Sequence, residues 1–186
     1  MNYTYILLLV SLFLGNEVNS FAQNEPSFHT ASGKVHFVSE SLLETVEAKS
    51  DELKGILNPN NSNFAFAIRI VSFNGFNSDL QKDHFNENYL ESEHFPNATF
   101  QGKLIDDFDF TKDGTAIVRA KGILKIHGEE QERIIKVSLQ KKGNIISVQG
   151  TFSILLSDHE IRIPRIVHGK IAPEIVINVS MDLVKK

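Results

Sequence analysis

Cysteine is absent from the 186 residues. That excludes a disulfide framework, a thiolate metal site and any lipid attached through sulfur. Tryptophan is absent as well. No block of basic residues occurs and the net charge is −4, so the chain lacks the electrostatic footprint of a nucleic-acid binder, and no nucleic-acid partner is expected. No apolar run reaches the roughly 20 residues that a membrane-spanning helix requires. The run from Tyr5 to Leu14 instead fits the apolar region of a secretory signal peptide, with Ser20 and Ala22 supplying small residues just before Gln23. The expectation is a signal peptide over residues 1–22 and one domain over 23–186, periplasmic or secreted after cleavage, with no integral membrane segment. Such a domain has only its core to hold it together. The bland alternative for 1–22 is an apolar tail.

Phenylalanine, by contrast, is abundant at 14 residues, and those rings have to be buried. From Ser32 onward the hydrophobic period is two, the period of a strand with one face inside. Phe64, Phe66, Ile68 and Ile70 share a face. So do Ala116, Val118, Ala120, Gly122, Leu124 and Ile126, with Arg119, Lys121 and Lys125 opposite. Ile135, Val137 and Leu139, then Ile146, Val148, Phe152, Ile154 and Leu156, then Ile175, Ile177, Val179, Met181 and Leu183, repeat the pattern. Val35 and Phe37 open the series, and Phe100, Gly102 and Leu104 form another strand. Asp113-Gly114, His127-Gly128 and Gly143-Asn144 read as hairpin turns. Residues 50–63 read as a strand end followed by a loop. Four long C-terminal strands with short links predict a meander, and one curved sheet apolar on one face predicts an antiparallel barrel, with a sandwich as the alternative.

The stretch 79-DLQKDHFNENYLESEHFPNATF-100 breaks this period. Leu80, His84, Phe85, Asn88 and Tyr89 fall near helical spacing, Asn77 or Ser78 can cap the start, and Pro96 ends it. A short helix over 79–89 is expected, with Phe85 and Tyr89 or Leu90 packed inward.

The phrases Asp83-His84-Phe85, Phe95-Pro96-Asn97-Ala98-Thr99-Phe100 and Leu124-Lys125-Ile126-His127-Gly128 resemble those of the YceI-like family, the lipid-binding or polyisoprenoid-binding domain. The likeness extends over nearly the whole of 23–186. Lys82 stands where many members have arginine, Glu93-His94-Phe95 replaces the usual run before the proline, and the segments 42–53 and 50–63 look like a Bacteroidetes-type variant. The resemblance implies an eight-stranded, lipocalin-like antiparallel β-barrel whose interior holds a long apolar, isoprenoid-like lipid.

The candidate cavity lining is Phe64, Phe66, Ile68, Ile70, Phe100, Ala116, Val118, Ala120, Leu124, Val148, Phe152 and Ile177. Small Ala116, Ala120 and Gly122 on a concave face leave volume for an apolar ligand, whereas a solid barrel would fill it with Phe64, Phe66, Phe100 and Phe152. Asp83 and His84 are the candidate headgroup contact. The competing reading has both bonded to backbone, fixing the helix to the barrel. His94 reads as a loop residue.

No catalytic residue, cofactor or metal is expected. His127, His159 and His168 fall at strand ends with no metal-ligand spacing. Ser157-Asp158-His159 carries triad letters but, read as a strand, alternates faces. The acidic run 106–114 lacks the glycine a calcium loop needs and reads as a solvated turn. Two rival classes stand beside the lipid binder: an enzyme using histidines at the barrel mouth, and a ligand-free structural or stress-associated barrel.

Overall fold

The computed structural model describes residues 26–167 and 169–186. The expected signal peptide and His168 lie outside them. Eight strands follow one another: β1 Phe28–Glu40, β2 Thr45–Leu57, β3 Asn63–Arg69, β4 Asn97–Leu104, β5 Gly114–Ile126, β6 Glu129–Lys142, β7 Ile145–Leu155 and β8 Glu174–Lys185. Each pairs antiparallel with the next, and β8 returns to β1, closing a barrel. Closure removes both sheet edges, so no backbone row is left to template another chain.

The period-two reading is realised strand by strand. On β5, Val118, Ala120, Gly122, Leu124 and Ile126 are buried while Arg119, Lys121 and Lys125 are exposed. Outside, Lys121 and Lys125 pair with Glu132 and Glu130 of β6 at 3.1 and 3.0 Å. Exposed pairs of this kind add little stability. The directly opposed Lys125–Glu130 pair and the diagonal Lys121–Glu132 pair nonetheless favour this register over one slipped by a residue.

Two local expectations need correction. His127-Gly128 is a two-residue hairpin with φ of 53° and 81°, and Gly143 opens the next turn at φ 56°. Asp113-Gly114 is not a hairpin turn; it ends the connection 105–113, in which Asp109 accepts from the Thr111 backbone and hydroxyl and Phe108 stacks edge-on with Phe110. Residues 50–57 form the end of β2 and 58–62 the loop before β3, as the sequence led us to expect. Irregular pairing around Gly33 brings Leu53 opposite it, and Leu53 and Leu57 both stay buried. The last link of the meander, expected to be short, is long. Residues 156–173 join β7 to β8 through 3-10 turns at Leu156–His159 and Arg165–Val167. Glu160 enters the left-handed region there at φ 54°, and Ile161 turns back to donate to the Leu156 carbonyl.

The helical segment forms where its period changes. The helix α1, Asp79–His84, starts at Ser78, whose hydroxyl accepts from the Gln81 amide. It runs into one π-helical turn, Phe85–Tyr89. Pro96 ends the segment and its carbonyl accepts from Ile70. The two long connections, 70–96 and 156–173, and the turn 41–44 all lie at the same end of the barrel, which we call the mouth. The turns 58–62 and 143–144 and the connection 105–113 lie at the other end.

Candidate functional site

The barrel interior is not filled. A cavity of about 530 Å³ runs inside it, within the roughly 300–1,000 Å³ typical of small-molecule sites. Its walls are aliphatic and aromatic down to Leu57, Leu104, Leu139 and Leu183. The polar side chains that reach it are Ser39, Glu44, Ser78, Gln81, His84, Tyr89, Thr99 and Lys170, all toward the mouth. The interior therefore offers apolar contact along its depth and hydrogen bonding only at the entrance.

Of the residues expected to line it, Phe64, Phe66, Ile68, Ile70, Phe100, Ala120, Leu124, Val148, Phe152 and Ile177 do. Phe64, Phe66 and Phe100 stack on one wall, with centroids 5.7 and 5.0 Å apart, and so pave the cavity instead of plugging it. Ala116 and Val118 do not line it. Both lie near the start of β5, at the end where Phe28, Leu139, Ile146 and Leu183 close the barrel, and Val118 is buried in that packing. Gly122 leaves no room either. A Cβ there would sit 2.3 Å from the Gln101 carbonyl oxygen, so its smallness serves close approach of β4 and β5 at the Gly102 pair.

At the mouth, Phe85 of the π-helical turn stacks on Phe37 at 5.3 Å and meets Phe76 and Phe73 at 5.0 and 5.9 Å. These four rings anchor the helical segment over the opening. Tyr89 lines the cavity beside them, and partial burial raises its phenol pKa, keeping it neutral. His84 borders the cavity and is exposed; Asp83 is exposed and does not border it. Among the described residues neither side chain finds a backbone partner, so the helix is not fixed by them, contrary to that expectation. It is fixed by the phenylalanines and by Gln81 and Asn77, which both donate to Glu44.

The two sequence phrases meet in space. Phe95 presents its ring to His127 at 4.8 Å and covers Gly128, where a Cβ would come within 2.7 Å of it. His127 Nδ1 lies 3.0 Å from the His159 carbonyl oxygen, and its Nε2 lies 3.5 Å from Glu91. The cluster thus ties the helical segment, the β5–β6 hairpin and the 156–161 turn together. His159 is fully buried, and neither ring nitrogen has a well-formed hydrogen bond. Burial pushes its pKa down, against the smaller pull of the Glu129 and Ile126 backbone and the Asp158 charge. Ser157-Asp158-His159 occupies a 3-10 turn rather than a strand. His94 sits in the turn before Phe95. Among the described residues no three His, Cys, Asp or Glu side chains gather where they could hold a metal ion.

Tyr89 points inward as expected, while sequence reasoning missed Gln81 and Lys170 at the entrance. Their only sequence signal is position: each falls in a connection, and connections carry no period that tells which way a side chain points.

The YceI-like domain matches residues 27–183. No curated protein matches this chain. Among solved structures, a polyisoprenoid binding domain from Saccharophagus degradans, implicated in plant cell wall breakdown, superposes with a TM-score of 0.73 at 15% identity, covering 87% of this chain and 99% of its own. BcnA of Burkholderia cenocepacia gives 0.67 at 17%, covering 82% and 96%. A Campylobacter jejuni YCEI protein gives 0.56 at 12%, covering 100% and 92%. At these identities the likeness is one of fold.

Proposed function

Because the chain belongs to the YceI-like domain family, a family of binding proteins, we propose that it binds an apolar, isoprenoid-like lipid in the barrel cavity. The observation that carries this reading is the cavity of about 530 Å³, apolar along its depth and polar only at the entrance. Each buried methylene of a ligand contributes about 0.8 kcal/mol, so a long hydrocarbon binds with few polar contacts. A polar headgroup would rest among His84, Gln81 and Lys170, with Asp83 nearby on the exposed side of α1. No bond to the ligand is made or broken. We further propose that the domain is exported after removal of residues 1–22, on the strength of the Tyr5–Leu14 run and the small residues before Gln23.

The test is mass spectrometry of the protein purified from its own host, under native and then denaturing conditions. A stoichiometric apolar adduct released on unfolding supports the proposal, and its mass identifies the lipid. A bare protein that also fails to take up polyprenyl lipids refutes it. The same spectrum reads the N-terminal residue; a chain beginning before Gln23 in the mature protein refutes the cleavage.

A further inference from the structure

Large apolar side chains scattered singly over a surface need no explanation. Ile117, on the outer wall of β5, is of that kind. The mouth is different. Leu42 and Leu43 are 98% and 76% exposed in the turn after β1, Ile166 is 91% exposed in the 3-10 turn before β8, and Leu80 is 63% exposed on α1. The turns that carry the first three lie side by side. The Leu43 amide and the Ser41 hydroxyl both donate to the Gly169 carbonyl, at 3.0 and 2.9 Å, which ties the two turns together. Val167 and Lys170, in the same segment, border the cavity, so these turns flank its opening.

Charge picks out the same side. Between Ile161 and Lys170 the sequence has no acid, while Arg162, Arg165 and Lys170 are exposed and unpaired with any carboxylate among the described residues. Next to the Leu42–Leu43 turn, α1 carries Asp79 and Asp83, with Lys82 between them in sequence. Beside that turn, Glu44 is engaged by Asn77 and Gln81, and Glu40 is exposed. The chain as a whole is negative, at −4, so an anionic surface repels most of it and attracts it by this side.

We propose that the Leu42–Leu43 turn and the Arg162–Lys170 segment dock the barrel mouth onto an anionic phospholipid surface. The apolar tips enter the interface and the three cations sit at the headgroups, the arrangement by which peripheral proteins bind membranes. Docking in this pose places the cavity opening against the bilayer, so a hydrocarbon chain passes between them with little exposure to water. The purpose of the pose rests on the lipid-binding reading; the docking itself does not.

The absence of cysteine makes the test clean. Ile166→Cys, Leu42→Cys and Ile117→Cys each carry one environment-sensitive fluorophore in the otherwise unaltered full chain. Each is mixed with vesicles of equal parts phosphatidylglycerol and phosphatidylcholine, or of phosphatidylcholine alone, all free of polyprenyl lipid. The expected result is a blue shift at 166 and 42 with the anionic vesicles and none at 117. Arg162→Gln together with Arg165→Gln weakens that response about 25-fold, at about fivefold per cation. No shift at 166 and 42, or an equal shift at 117, overturns the proposal; the second outcome would mean undirected adsorption, for instance through the N-terminal apolar run. A shift at 166 that grows with protein concentration without vesicles also overturns it, in favour of a second copy as the occupant. Docking without lipid uptake would leave this proposal standing and sink the cavity reading, and uptake without docking would do the reverse.

Discussion

Replacing Ala120 by leucine tests the emptiness of the barrel through the sign of a free energy. Ala120 is 5% exposed, lines the cavity and sits between Leu104 of β4 and Ile135 of β6. The larger side chain adds three carbons to the interior. In an open cavity they leave water without displacing protein atoms, a gain of up to about 2 kcal/mol at 0.8 per methylene. In a barrel packed solid the same carbons force neighbours off their rotamers, a loss of about 1–3 kcal/mol. The two cases differ in direction, so a modest error in either number does not blur the answer. The assay is urea unfolding of delipidated protein, paired with titration of a polyprenyl lipid. We expect Ala120→Leu to raise the unfolding midpoint and to weaken lipid binding, by about tenfold or more, since each ligand methylene it displaces is worth about 0.8 kcal/mol. A lowered midpoint with unchanged binding would refute the reasoning, because the site would then be neither empty nor occupied by ligand.

Three further outcomes follow from the same coordinates. Gly122→Ala places a Cβ 2.3 Å from a backbone oxygen that cannot swing away, so the urea midpoint falls, by about 1–3 kcal/mol in stability; an unchanged midpoint would show that β4 and β5 separate easily. His159 has its pKa lowered by burial, so the unfolded chain binds its proton first. Stability is therefore complete above the ordinary histidine value of about 6.5 and falls as pH drops below it; His159→Phe flattens this part of the stability–pH curve, and an identical slope in the variant would count against it. Arg119 hydrogen-bonds Asp106 and holds its carboxyl at about 2. Its contribution is present above the ordinary aspartate range and lost as pH falls toward about 2, and in Arg119→Gln a carboxyl-carbon NMR titration finds Asp106 raised but still below the ordinary range, because the backbone N–H of residue 119 goes on donating to it.

Strands were legible because their information is local. Alternation at Ile146, Val148, Ile154 and Leu156, or at Ile175, Ile177 and Leu183, needs only the residue and its neighbours two away, and each of these side chains is buried. The helical segment was legible for the same reason, through Ser78, Phe85 and Pro96. The depth of the cavity was not. Ala116 and Ala120 share a face and a size, yet only Ala120 borders empty space, because what stands opposite each is set by barrel stagger and not by the strand itself. Gly122 looked like spare volume and is a point of strand contact. The connection 156–173 hid behind an apolar alternation, in Ile161, Ile163 and Ile171, that continues past the end of β7. The meeting of Phe95 with His127-Gly128 joins phrases about thirty residues apart, which no local reading pairs.

The seam between β1 and β8 has a consequence for how this protein comes into being. Phe28 lies opposite Lys185 and Phe37 opposite Ile177, so the wall is closed by the first strand of the barrel and the last. A growing polypeptide that has not yet released β8 is an open sheet with one edge of β1 and one edge of β7 unpaired. It has no interior, only a greasy concave surface with two adhesive edges. Such long-range closure is slow, since most of the loop entropy has to be given up before the final ladder repays it. The window between synthesis and closure is thus when this barrel is most open to misassociation, and loss of β8 should do more harm than a far larger change on the outer wall.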